Sequence, residues 1–182
     1  MWYVVGGIAL LLVIWLIASY NNLIKKKNVV EESFSTMDVY MKKRFDLIPN
    51  VVETVKGYAK HESETLEKVI AARNRIASGG SNEDRLKAEN ALTGTLKSLF
   101  ALAEAYPELK ANTNFTSLQN QLASIEGEIA SSRKYYNACV KEFNTKTQTF
   151  PSVIVANMFH FTRFPLFELD SPEERKNVKV QF

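Results

Sequence analysis

From Trp2 to Ala18 the chain runs for 17 residues without a charged or strongly polar side chain, and Ser19 and Tyr20 extend the run. Few folds accept such a segment at a terminus. At 1.5 Å per residue, about 19 residues span roughly 29 Å, the thickness of a bilayer's hydrocarbon core. Trp2 and Tyr3 stand at one end and Tyr20 at the other, where aromatic belts form at membrane–water interfaces, and Trp15 lies within the run. A cleaved secretory signal carries its basic residues before the apolar stretch and small residues at the cleavage point. Here Lys25, Lys26 and Lys27 follow the run, and Tyr20-Asn21-Asn22 is a poor cleavage sequence. Residues 1–20 are therefore expected to form a transmembrane anchor, with the lipid bilayer as a partner. On the other flank only the α-amino group is charged. The positive-inside rule then places Lys25 onward in the cytoplasm and the N-terminus outside, with a periplasmic or extracellular domain as the alternative. The triplet is also placed to meet anionic headgroups, at about 1 kcal/mol per basic residue.

The remainder reads as all-α. No proline or glycine interrupts residues 8 to 48, so the anchor is expected to continue straight into a first helix over 21–48. Val30, Phe34, Met37, Met41 and Ile48 recur along it at steps of four and three with one skipped turn; Lys42, Lys43, Arg44 and Asp46 form the opposite face. Pro49 should end or kink this helix, because it removes a donor and restricts Ile48. A second helix is expected over 50–78 with Val52, Val55, Ala59, Leu66 and Ile70 inward. Gly79-Gly80 breaks the pattern, and Ser81-Asn82-Glu83-Asp84 has the form of an N-cap with acids in the first turn. The third helix, 82–106, carries Leu92, Leu96, Leu99, Ala103 and Tyr106. In the fourth, 114–150, Phe115, Leu118, Leu122, Ile125, Ile129, Ser132, Tyr136, Cys139, Phe143 and Phe150 hold one 3-4 register, with Lys146 as its charged slot. A period of 3.5 implies left-handed, coiled-coil-like packing. Four such helices with short breaks read as an elongated antiparallel four-helix bundle over residues 21–150.

Up-down-up-down parity has a consequence at the far end. The fourth helix returns toward the membrane, so the tail, residues 151–182, should begin beside it. Six of the 11 phenylalanines lie from Phe150 onward, with Phe159, Phe161, Phe164 and Phe167 in the tail. Three readings stand: these rings lie in the membrane interface, seal a contact with another subunit, or fold back as a cap on the bundle. If Pro49 only kinks a continuous helix, parity flips and the tail is distal. Val178 to Phe182 alternate like a short strand.

No chemistry is spelled out. The formal net charge is +3, too weak for a nucleic-acid footprint, and no basic face is interleaved with aromatics. A di-iron bundle needs Glu-x-x-His pairs, but Tyr58 precedes His61 and Asn157 precedes His160 at that spacing. Cys139 occupies a core register position, which suits a buried structural thiol. No phosphate-binding glycine loop or nucleophile elbow occurs. No catalytic, metal or cofactor residue is therefore assigned. Arg44, Asp46, Asn50, Lys56, Arg73, Asn112, Arg133 and Asn137 suit inter-helix pairs and caps, or a subunit interface.

Several long stretches together resemble the LemA family of bacterial membrane proteins. They are Tyr20-Asn21, the run from Lys42 to Glu62, Ala72-Arg73, the run from Ala103 to Asn112, Asn114-Phe115, Tyr135-Tyr136-Asn137, Phe143-Asn144-Thr145 and Phe150-Pro151. One departure is His160, where the family usually carries glycine. The resemblance implies an N-terminally anchored helical bundle in a bacterial inner membrane, with some relatives acting in magnetosome membranes. It brings no catalytic residues. Two function classes follow: a self-associating, non-enzymatic scaffold, and an adaptor or regulator docking onto another membrane protein such as a protease or stress system. An enzyme is the third and most distant class.

Overall fold

A computed structural model describes residues 1–167. Among these, all regular structure is helical: α1 (Trp2–Tyr58), α2 (Ser63–Ala77), α3 (Asn82–Ala103), a single turn α4 (Pro107–Lys110), α5 (Thr113–Gln148) and a short α6 (Ser152–Met158). Residues 159–167 follow without a regular element. The strand expected at 178–182 lies outside the described residues. The helices fall into two compact units. The first holds Met1–Met37 and Ser131–Leu166; the second holds Asp38–Ala130 and, of the described tail, Phe167. Helices α1 and α5 contribute residues to both.

The first expectation to fail is the break at Pro49, which lies inside α1. Proline lacks the N–H that would bond the Phe45 carbonyl four residues back, and that loss normally ends a helix. Here the orphaned carbonyl is served from a neighbouring helix. Arg73 Nε on α2 donates to Phe45 O at 3.3 Å, and the Arg73 guanidinium stacks 4.0 Å from the centre of the Phe45 ring. The chain turns instead at residues 59–62. There Asn112 Nδ2 donates to the Tyr58 hydroxyl at 2.8 Å and Tyr106 donates to Glu62 Oε1 at 3.0 Å. The turn resets the helical phase, so in α2 Val69 is buried and Ile70, expected inward, is exposed. The break has moved rather than vanished.

The turn before α3 forms as read. Gly79 and Gly80 take φ of 74° and 137°, the region that favours glycine. Ser81 then caps α3: its hydroxyl accepts from the Asp84 N–H while the Asp84 carboxylate accepts from the Ser81 N–H, a capping box.

In the second unit, Ile48, Val51, Val52, Val55, Leu66, Val69, Leu92, Leu96, Leu99, Leu109, Phe115 and Leu122 form one continuous apolar core. In the first, the contacts descend along α5 as they ascend along α1. Lys26 pairs with Glu142, and Phe34 meets Tyr136 edge-on at 5.7 Å. The 3-4 register of α5 holds from Phe115 to Phe143, with every position buried or half-buried. It fails at Phe150, which is 81% exposed because α5 stops at Gln148 and the chain bends before Pro151.

Candidate functional site

The skipped turn in the α1 seam is occupied by Arg44. It was expected on the polar face with Lys42, Lys43 and Asp46, yet its side chain is 1% exposed. Its register, between Met41 and Ile48, points it into the core. Glu89 holds the matching seam position on α3, between Leu86 and Leu92, and is equally buried. Arg44 Nη2 donates to Glu89 Oε2 and, at 3.3 Å, to the Glu89 backbone carbonyl. Nη1 donates to Thr93 Oγ1 at 2.7 Å and to Glu126 Oε1 on α5 at 2.5 Å. One guanidinium thus ties three helices. Arg44 Nε and Glu89 Oε1 find no hydrogen-bond partner among the described residues. Burial pushes the Glu89 carboxyl above the usual carboxylate range, while Arg44 pulls it down. Beside Glu126 lies a 280 Å3 cleft whose walls include Leu96, Phe100, Leu122 and Ala123, mainly apolar.

The other candidate lies in the first unit, where the aromatic tail packs. α6 ends in a Schellman motif: Phe161 N–H donates to Ala156 O at 2.9 Å and His160 N–H to Asn157 O at 3.3 Å, with His160 at φ 55°. The tight turn that glycine would serve is therefore made by a histidine. Beyond it, Asn144 of α5 grips the chain with both ends of its amide. Its Nδ2 donates to Phe164 O at 2.9 Å and its Oδ1 accepts from Phe164 N–H at 3.0 Å. Tyr136 donates to Pro165 O at 2.9 Å, and burial pushes its phenol up to about 12.

The tail phenylalanines have separate fates. Phe161 and Phe164 both pack edge-on against Phe143, at 6.2 and 5.3 Å. Phe167 is buried. Phe159 packs tilted against Tyr20, ring centres 4.6 Å apart, yet stays 44% exposed. Val155, Ala156 and Phe161 cluster with Trp15, Tyr20 and Leu23 of α1. Two anchor residues, Trp15 and Tyr20, are thereby half-covered, whereas Trp2 and Tyr3 project freely. α1 is long and apolar enough to cross a membrane, and the apolar window is not buried within the structure. Lys26 pairs with Glu142 and Lys27 with Glu31; Lys25 is exposed.

Of the polar residues singled out in the sequence, Arg44, Arg73 and Asn112 make inter-helix bonds, and Asn112 Oδ1 also caps α5 by accepting from Phe115 N–H. Asp46 and Lys56 make only exposed pairs within α1. Cys139 is buried and free. The residues missed were Glu89, Glu126 and Asn144. For Glu89 the signal was available: a carboxylate on an otherwise aliphatic seam needs a buried cation.

Comparison with known proteins places these features in a family. The family model described as LemA matches residues 33–182. The chain is 25% identical over 157 residues to Protein LemA of Metamycoplasma hominis, an alignment covering 84% of this chain and 70% of the relative. It is 21% identical over 178 residues to Magnetosome protein MamQ of Magnetospirillum gryphiswaldense, covering 84% of this chain and 65% of that protein.

Proposed function

The chain belongs to the LemA family, and from that premise we propose that it is a non-enzymatic, single-pass membrane protein that self-associates as a scaffold at the bilayer. One observation carries the reading: a single unbroken helix, Trp2–Tyr58, supplies both the apolar segment and part of each compact unit. Span and domain are then one element, which suits a protein whose task is position rather than turnover. In this reading the second unit is an antiparallel four-helix bundle, built from the C-terminal part of α1, α2, α3 and the first part of α5. It stands on the cytoplasmic side of a bacterial inner membrane, with Lys25, Lys26 and Lys27 at the headgroups. Similarity to a protein named for the magnetosome supports a role at a membrane. Neither relative is named as an enzyme.

An adaptor role is the second reading. The exposed Val39, Tyr58 and Ile70 of the second unit favour it as docking side chains. The two readings separate on particle mass. Full-length protein extracted with its lipids should form a discrete multiple of the 20.6 kDa chain if it is a scaffold. A monomer that copurifies with one stoichiometric membrane protein overturns the scaffold and supports the adaptor.

A further inference from the structure

We propose that α6 and its flanks form a second membrane contact, an interfacial foot seated in the same leaflet that α1 leaves. The inference rests on the reading of α1 as a span, and it names lipid as the occupant of the exposed apolar face at this end of the chain.

The first argument is depth. Residues 1–14 of α1 are uniformly exposed, and coverage begins at Trp15. What covers it is the α6 region, through the cluster of Val155, Ala156 and Phe161 with Trp15, Tyr20 and Leu23. Trp15 lies five residues inside Tyr20, about 7 Å along the helix axis. With Tyr20 at the membrane–water boundary, the cluster straddles that boundary, from Leu23 about 4.5 Å above it to Trp15 below it. About 5–10 Å is the depth at which interfacial helices lie. A segment packed on the membrane-facing end of a span is itself in the membrane.

Surface chemistry is the second argument. The exposed residues of α6 are largely apolar, with Asn157 the polar one among them. Ile154 and Met158 are one helical turn apart and 48% and 54% exposed, and Phe150 and Phe159 extend the patch on either side. Inside its own unit α6 has already buried Ser152, Val155 and Ala156, so the outer residues are surplus to packing. In water they would be left bare, as would Ile14 and Ile17 of α1. Lipid covers both with one surface.

The rim fits a headgroup layer. Lys26, Lys141 and Lys146 line one shallow hollow, and Lys25 joins Lys26 in its neighbour. Lys146 is adjacent to the foot, since Ser152 Oγ donates to the Lys146 carbonyl at 2.7 Å. Glu142, in the same hollows, is paired with Lys26. Arg163 is exposed along the tail, where a long cationic side chain reaches headgroups. A protein partner would need apolar contact and cation recognition at one level of the membrane; an anionic leaflet supplies both in that order of depth.

The test places an environment-sensitive fluorophore at single cysteines in the full-length chain carrying Cys139→Ala. The sites are Ile154→Cys and Met158→Cys, with Leu11→Cys and Lys68→Cys as references. The protein is reconstituted in phosphatidylcholine–phosphatidylglycerol vesicles containing nitroxide lipids. Leu11→Cys should be quenched by nitroxides deep in the chains, and Lys68→Cys only by aqueous iodide. Ile154→Cys and Met158→Cys should shift to the blue and lose severalfold emission to nitroxides near the headgroups, at every protein-to-lipid ratio. Quenching of these two by iodide alone overturns the proposal, as does shielding from both lipid and iodide, which would mean that a second copy or another protein covers the face. Loss of lipid quenching at Leu11→Cys would instead remove the span on which the inference rests.

Discussion

The two compact units are built on different physics. In the second, helix seams interlock aliphatic side chains, and a single buried guanidinium crosses from α1 to α3 and α5. In the first, aromatic rings flank an aliphatic centre of Leu23, Val155 and Ala156, and the tail is held by bonds from side chains to backbone: Asn144 to Phe164, Tyr136 to Pro165. The first strategy orders regular helices against each other. The second fastens an irregular segment to a helix, which no periodic pattern could do. The difference assigns roles. The second unit holds its helices in register, and the first holds a tail in place beside the apolar end of α1.

The largest expected effect tests the ion cluster. Arg44→Met strands Glu89 in the core and should cost about 3–5 kcal/mol of stability in detergent, whereas adding Glu89→Met should recover most of it. Hydrogen exchange should rise through α2 and α3 while the Phe164 amide stays protected; equal loosening in both units would break the comparison. The pH dependence has a defined sign. Burial raises the Glu89 carboxyl, and removing Arg44 leaves burial less opposed. A raised folded-state pKa contributes stability below the unfolded value, about 4.3. That stability is lost as pH rises through the folded value. Arg44→Met should therefore be less destabilised at about pH 5 than at about pH 8.

Next in size is the amide grip. Asn144→Ala leaves two backbone groups of Phe164 without their partner, at about 2 kcal/mol. Exchange should increase at residues 161–167 and remain unchanged in α2 and α3. Tyr136→Phe removes one bond to Pro165 and should cost about 1 kcal/mol by thermal melting. The smallest effect is at the left-handed position. His160→Gly relieves about 1 kcal/mol of steric cost and adds a similar unfolded-state entropy, so its melting temperature should barely move. His160→Val should lose about 1–2 kcal/mol, since a β-branched side chain tolerates that φ poorly.

What could be read from the sequence follows the same division. The α5 seam up to Phe143, the Gly79-Gly80 turn and the Ser81 cap are local or periodic, and each formed as expected. Pro49 was misread because the group that rescues its helix, Arg73, sits 24 residues away and on another helix. Arg44 defies the rule that charge marks the solvent face, because its register sets it in the seam. A charged residue on the apolar phase of two helices, here Arg44 and Glu89, is the pattern that marks a buried pair. The tail was legible only as aromatic. Whether its rings meet lipid, a neighbour or Phe143 depends on where α6 and Asn144 put them, and no repeat encodes that.

The central claim, that α1 carries the chain across a bilayer, is tested most directly by which side each end occupies. In intact cells making the full-length Cys139→Ala chain, an impermeant maleimide should label Trp2→Cys and spare Lys68→Cys until the membrane is opened. Labelling of both sites, or of neither, from the outside would mean that the two ends share one side and would contradict a single-pass span.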